Sequence, residues 1–230
     1  MNNLTLYKHK LINKIISWSP AWLITLKHEL NHKDNPSLWI DDNYLFLHIP
    51  KSGGTSVAIA LNRKESGHFK FSSLIKKHPE INNKKAYFFI ARDPIERIIS
   101  TYTYIKDLHR KFGTSNIPEI DLSDSLDSYI KNNLNVTNVN EHYFLRPFSE
   151  VIKGVPKSRL YAINFDRLSS NMSEFYDNII GENIEMPHSN KSTTRSDLYI
   201  SEESKRIIQD KYNKDFVIYN KVKSSSYMRL

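Results

Sequence analysis

A chain of 230 residues with a net charge of +8 is long enough for one sizeable core, and we expect a single domain. It contains no cysteine, which excludes disulfides, thiolate catalysis and zinc–thiolate sites and fits a reducing, cytoplasmic setting. The positive charge suits a polyanionic partner such as a phosphorylated cofactor, a sulfated glycan, nucleic acid or an acidic membrane, and charge alone does not choose among them.

Residues 1–36 read as a helical segment and linker, and residues 37–230 as the main domain. The apolar part around Trp18 and Trp22 is interrupted by Pro20 and bracketed by Lys14 and Lys27. The uncharged stretch between those lysines is far short of the roughly 20 residues that span a bilayer, and no small-residue cleavage site follows it. Two readings stay open for this segment: a helix lying at a membrane interface, which would give peripheral membrane association, and a helix packed on the domain's own surface.

The apolar run from Leu45 reads as a buried strand that stops at Pro50, and Val57–Leu61 can continue as a helix. Between them lies Lys51-Ser52-Gly53-Gly54-Thr55-Ser56. Its glycines let consecutive N–H groups point inward at an anion, and the lysine and hydroxyls add a charge and donors. Walker A places its lysine after the glycines, whereas Lys51 precedes them.

Glu65–Leu74 carries Gly67-His68-Phe69, and Ala86–Ala91 reads as a second buried strand that ends at Arg92. Asp93 as N-cap, Pro94 at the first helical position and Glu96 as capping-box partner specify the helix that follows. Ile95, Ile98, Ile99 and Tyr102 make an apolar stripe expected to face the sheet, and Ser100 lies off it. A short helix is expected around Leu126–Leu134, followed by Asn140–Pro147 with His142. A third strand is expected over Leu160–Phe165, then a helix capped by Asn171 and Glu174 and stopped by Gly181. Pro187–Arg195 is a hydroxyl-rich basic loop. A last helix begins at Ser201, with Ile208, Tyr212, Phe216 and Tyr219 on one stripe.

Lys-Ser-Gly-Gly-Thr-Ser after His-Ile-Pro resembles the 5'-phosphosulfate loop of carbohydrate sulfotransferases, especially the heparan sulfate 2-O and 6-O enzymes and their bacterial relatives. Arg92-Asp93-Pro94 with the helical Ser100 is similar to that family's 3'-phosphate motif. His142 with the aromatics after it loosely resembles a histidine-aromatic-proline segment of several carbohydrate sulfotransferases, and the loop with Asn190-Lys191-Ser192 is similar to the family's late Asn-Lys-Ser segment, a place from which it could close over cofactor or glycan. The resemblance implies a P-loop-like three-layer α/β fold with a mostly parallel sheet flanked by helices. It implies 3'-phosphoadenosine 5'-phosphosulfate as co-substrate, a glycan hydroxyl as acceptor, and no metal and no nucleic acid. Lys51, Ser52, Gly53, Gly54, Thr55, Ser56, Arg92 and Ser100 would bind the co-substrate. Lys51 would also stabilise the leaving group, and His68, with His142 as second candidate, would be the base. A nucleotide kinase or hydrolase, or a polyanion-binding module without catalysis, are the competing readings.

Overall fold

The structure, a computed structural model, describes residues 43–62, 67–112, 124–136, 139–140, 142–186 and 198–230. The expected helical segment at residues 1–36 and the basic loop at 187–195 lie outside the described residues.

Four strands form one sheet in the order β1 (Tyr44–Phe46), β2 (Ala86–Ala91), β3 (Leu160–Asn164), β4 (Tyr227–Arg229). The first three are parallel, with Tyr44 opposite Ala86 and Tyr87 opposite Leu160, and β4 runs antiparallel to β3. Eight α-helices accompany them among the described residues: α1 (Gly54–Ala60), α2 (Phe71–Lys77), α3 (Pro94–Phe112), α4 (Leu126–Val136), α5 (Phe148–Val151), α6 (Leu168–Phe175), α7 (Glu202–Lys211) and α8 (Asn213–Val222).

Every residue of β2 is buried, as a central strand covered on both faces requires. Its alternate residues enter two cores. Tyr87 and Phe89 join Leu45 and Leu47 against Phe71 of α2, Phe148 of α5 and Val222 of α8. Phe88 and Ile90 join Tyr44 and Phe46 against Val57 of α1 and Phe175 of α6. Fully burying a side chain of this size contributes about 1.5–3 kcal/mol, so the strands are held by these two clusters more than by strand length.

The second strand and the cap of α3 fall where the sequence puts them: Asp93 Oδ1 accepts from the N–H groups of Ile95 (2.8 Å) and Glu96 (3.1 Å). The stripe of α3 does not face the sheet. Ile98 and Tyr102 are buried in a third cluster with Tyr129 and Leu134 of α4 and Ile208 of α7, a core made by helices alone. Amphipathic spacing shows that a face is buried but not what covers it.

Two expected helix boundaries are also corrected. Asn171 and Glu174 do not cap α6; Asn171 lies inside it, buried, donating to the Asn164 carbonyl at 2.8 Å, while Glu174 accepts from the Ser226 hydroxyl. The last helix starts at Ser201, whose hydroxyl accepts from the Ser204 N–H, but it breaks at Tyr212 into α7 and α8. That break sends Ile208 and Tyr212 into the helical core and Tyr219 into the sheet core. Gly181, at φ +80°, ends the helical run after α6 as expected. No helix among the described residues is long and apolar enough to cross a membrane.

Candidate anion site at the carboxyl ends of the strands

β1 and β2 run parallel, so the segments that leave their carboxyl ends emerge side by side, and these segments carry Lys51 and Arg92. Arg92 Nη1 donates to the Lys51 carbonyl at 2.7 Å. The two motifs, 41 residues apart in sequence, thus share one hydrogen bond.

Lys51 adopts φ +60°, a left-handed conformation that costs an L-residue about 1–2 kcal/mol. Glycine or asparagine would accept that geometry more cheaply, so what the position keeps is the lysine side chain. Its ammonium lies over the Tyr104 ring, 3.9 Å from the centroid, and Tyr104 in turn stacks on Phe144. Lys51 is therefore held at both ends, its carbonyl by Arg92 and its charge by an aromatic face.

Gly53, the N-cap of α1, has φ +80°, as a glycine at a tight loop-to-helix junction should. Gly54 has a different reason to be glycine: a Cβ there would overlap the imidazole of His48, leaving even Cε1 only 2.7 Å away. His48 is itself buried, with its ring on Phe46 (5.8 Å between centroids) and on His68 (4.2 Å).

Two side chains at this loop stand out because burial leaves them short of partners. Ser52 is 1% exposed and its hydroxyl has no hydrogen-bond partner. Arg92 is 3% exposed, and its Nε and Nη2 have none either. Its guanidinium rests on the Phe165 ring at 4.4 Å, with the Glu96 carboxylate 3.8 Å from Nη2. Burial, and behind it the neighbouring Asp93 and Asp166, push the Glu96 carboxyl up. Asp166 accepts from the Tyr219 hydroxyl at 3.2 Å, and desolvation together with that carboxylate pushes Tyr219 up to about 12. A buried donor left unsatisfied costs about 1–3 kcal/mol, more when charged.

Ser100 follows Glu96 by four residues and precedes Tyr104 by four on α3. It therefore sits on the helix face between the residue that meets Arg92 and the residue that meets Lys51.

The two candidate bases belong to one aromatic group. The His68 ring is nearly parallel to Tyr143, at 6.0 Å and 13°, and His142 is nearly parallel to the same ring, at 5.4 Å and 9°. His142 is 2% exposed, whereas His68 is only half-buried. His68 Nδ1 lies 3.3 Å from the His48 carbonyl. A carbonyl can only accept, so this contact places the proton on Nδ1 and leaves the lone pair of the neutral ring on Nε2.

Several residues that shape the site are absent from the sequence reading. Arg146 is buried and donates from Nη1 to the His68 carbonyl (3.3 Å) and from Nε to the Asn140 carbonyl (3.0 Å), tying the two histidine segments together. Arg97 donates to the carbonyls of Phe144 and Arg146, and buried Asp215 accepts from the N–H groups of Phe148 and Ser149. Burial raises the Asp215 carboxyl, with Arg97's charge opposing the shift. Phe165 had a usable signal, since it follows the third parallel strand and the ends of such strands converge. Arg146 and Arg97 had none, because their partners are backbone carbonyls from distant segments. No family model, no curated protein and no solved structure matches the chain.

Proposed function

We propose that the chain is a sulfotransferase with a P-loop-like three-layer fold. It would transfer the sulfuryl group of 3'-phosphoadenosine 5'-phosphosulfate to a hydroxyl of a carbohydrate acceptor. The single observation that supports this reading is that the Ser52 hydroxyl and the Nε and Nη2 of Arg92 are buried without hydrogen-bond partners, while Arg92 Nη1 bonds the carbonyl of Lys51, the residue before Ser52. The co-substrate has two separated anionic groups, and the motifs supply two donor sets. Ser52, Lys51 and the loop N–H groups would take the 5'-phosphosulfate, and Arg92 with Ser100 the 3'-phosphate. The acceptor class rests on the likeness of the loop and of Asn140–Pro147 to glycan-modifying enzymes.

In the step proposed, the acceptor oxygen attacks sulfur in line. The bond from sulfur to the bridging oxygen breaks, its electron pair stays on the departing 5'-phosphate, and the acceptor proton passes to His68 Nε2. The products are a sulfate ester and adenosine 3',5'-bisphosphate. Positioning and electrostatics dominate such transfers, as in phosphoryl transfer. Lys51 neutralises charge that grows on the bridging oxygen.

Calorimetry with adenosine 3',5'-bisphosphate in a chelating buffer tests the reading. Binding is expected without metal, and tighter than that of ATP with magnesium; the reverse order would favour a nucleotide kinase or hydrolase. Mass spectrometry of candidate glycans after incubation with the sulfate donor then tests transfer itself. Because Arg92 also holds the Lys51 carbonyl, Arg92→Ala is expected to weaken adenosine 5'-phosphate somewhat and the bisphosphate by about a further tenfold to hundredfold, the range for a lost charge-assisted contact. Equal losses for the two ligands would remove the 3'-phosphate from Arg92. Lys51→Ala is expected to lower turnover by more than it lowers bisphosphate affinity, since its main partner appears during transfer. An unchanged turnover number would exclude that role.

A further inference from the structure

We propose that Glu96 is a specificity-determining residue of the anion site: a phosphate held by Arg92 binds together with one proton, carried by the Glu96 carboxyl. This role rests on the reading above that a phosphate occupies Arg92. Arg92 directs Nη1 to the Lys51 carbonyl at 2.7 Å, and among the described residues its buried Nε and Nη2 meet no hydrogen-bond partner. Those two groups are the donors open to a ligand. Glu96 follows four residues on, in the first turn of α3, and its Oε2 lies 3.8 Å from Nη2. An oxygen that accepts from Nη2 at about 2.9 Å is therefore no farther than about 7 Å from Glu96, inside the roughly 10 Å screening length of dilute salt. A phosphate there meets a like charge.

The groups around Glu96 add to that repulsion. Asp93 caps α3 by accepting from the N–H groups of Ile95 and Glu96, and Asp166, in the segment after β3, accepts from the hydroxyl of Tyr219 on α8 at 3.2 Å. Burial first, and then these two carboxylates, push the Glu96 carboxyl up. Burial and the same three carboxyl groups push the Tyr219 hydroxyl up as well, so it stays neutral. Arg92 is the cation that faces this group, and Lys51 is joined to it through its carbonyl. A phosphate dianion added beside three carboxylates is poorly neutralised, whereas a proton on Glu96 removes one negative charge and turns its carboxyl into a hydrogen-bond donor.

The direction of the pH dependence follows. Glu96 sits above the ordinary carboxylate value in the free protein, and the charge of a bound phosphate moves it further the same way. Between the free and bound values, binding takes up a proton and affinity falls as the pH rises. Below the first value and above the second, Glu96 is in one state throughout and contributes nothing. The site therefore holds a phosphate more tightly in acid and releases it more readily in alkali.

Calorimetry with adenosine 3',5'-bisphosphate on the wild type and on Glu96→Gln, from about pH 5 to about pH 8.5, tests this, because the ligand's own phosphate ionisation near about pH 6 is common to both and cancels in their ratio. Glutamine keeps the size and a donor but does not titrate, and the cap of α3 survives because it uses the backbone N–H of residue 96. The variant is expected to bind within about threefold of the wild type at the acid end and on the order of tenfold more tightly at the alkaline end, one pK unit of linkage being tenfold in affinity. In two buffers of different ionisation enthalpy the wild type is expected to take up more protons than the variant. Adenosine 5'-phosphate, which has no group for Arg92, is expected to show neither difference. A ratio of affinities that stays constant across the pH range would overturn the role of Glu96 and leave the phosphate at Arg92 standing, whereas a bisphosphate that binds at no pH would overturn both. An equal shift with adenosine 5'-phosphate would also overturn it, by placing the linked anion away from Arg92.

Discussion

His68→Ala is expected to lower turnover by on the order of 10²–10⁴ while leaving the affinity for adenosine 3',5'-bisphosphate nearly intact, the range for loss of a general base. The geometry gives this expectation content beyond the residue type. The His48 carbonyl fixes the tautomer, so the nitrogen that can take a proton is Nε2. Arg146 holds the backbone of His68 from a segment 78 residues away, and the rings of Tyr143 and Phe144 lie 6.0 and 5.9 Å from its own. A base must be oriented as well as basic, and these contacts orient it. His142 is the less suitable of the two because it is almost wholly buried, and its stacking on Tyr143 makes it a support for the His68 neighbourhood. His142→Ala is accordingly expected to loosen that aromatic group and act on acceptor affinity and stability. If His142→Ala abolishes turnover and His68→Ala is nearly silent, with both proteins folded and binding the bisphosphate, the assignment is reversed. His68→Gln separates positioning from proton transfer, because an amide can keep the hydrogen bond to the His48 carbonyl but cannot accept the proton.

What could be read from the sequence follows from which interactions are local. The β2 strand, the Asp93 cap and the stop at Gly181 are set by residues within a few positions of each other, and each appears where its signal lies. That Lys51 and Arg92 each follow the carboxyl end of a strand was also legible, whereas the parallel pairing of β1 with β2 that brings the two together is seen only in the structure. Long-range partners were not legible. Spacing reveals an apolar face of α3 but cannot say that α4 and α7 cover it. Nor can it say that the stripe through Tyr212 and Tyr219 is divided by a break, since the heptad-like spacing continues across Tyr212. β4 is three residues long and partly exposed, too short to register as a strand before its partner β3 is known. The capping signal at Asn171 was real chemistry in the wrong place: its amide does satisfy a backbone group, but that group is the carbonyl at the end of β3.

Gly54→Ala is expected to destabilise the chain and weaken ligand binding together, and the reason differs from the one glycine-rich loops suggest. Gly53 needs its positive φ, and alanine there would also meet Leu168 Cδ2 at 2.5 Å. Gly54 is an ordinary first residue of α1, with no positive φ, and the room for its side chain is filled by the His48 ring. That ring is pinned between Phe46 and His68, so a methyl group at position 54 must move either the imidazole or the loop. Overpacking of this kind costs roughly 1–3 kcal/mol and occasionally more, which for a chain of this size corresponds to a fall of about 2–12 °C in melting temperature. Bisphosphate affinity should fall with it, because the displaced backbone carries Ser52 and Lys51. The cause can be isolated by a double-mutant cycle. His48→Ala opens the space, so the pair His48→Ala, Gly54→Ala is expected to melt well above the sum of the two single losses, with a favourable coupling of 1 kcal/mol or more. His68 keeps its acceptor in the double variant, since that acceptor is the backbone carbonyl of residue 48. Additive losses across the cycle would show that the imidazole does not impose glycine at position 54, and that close approach of a ligand to the backbone is the reason instead.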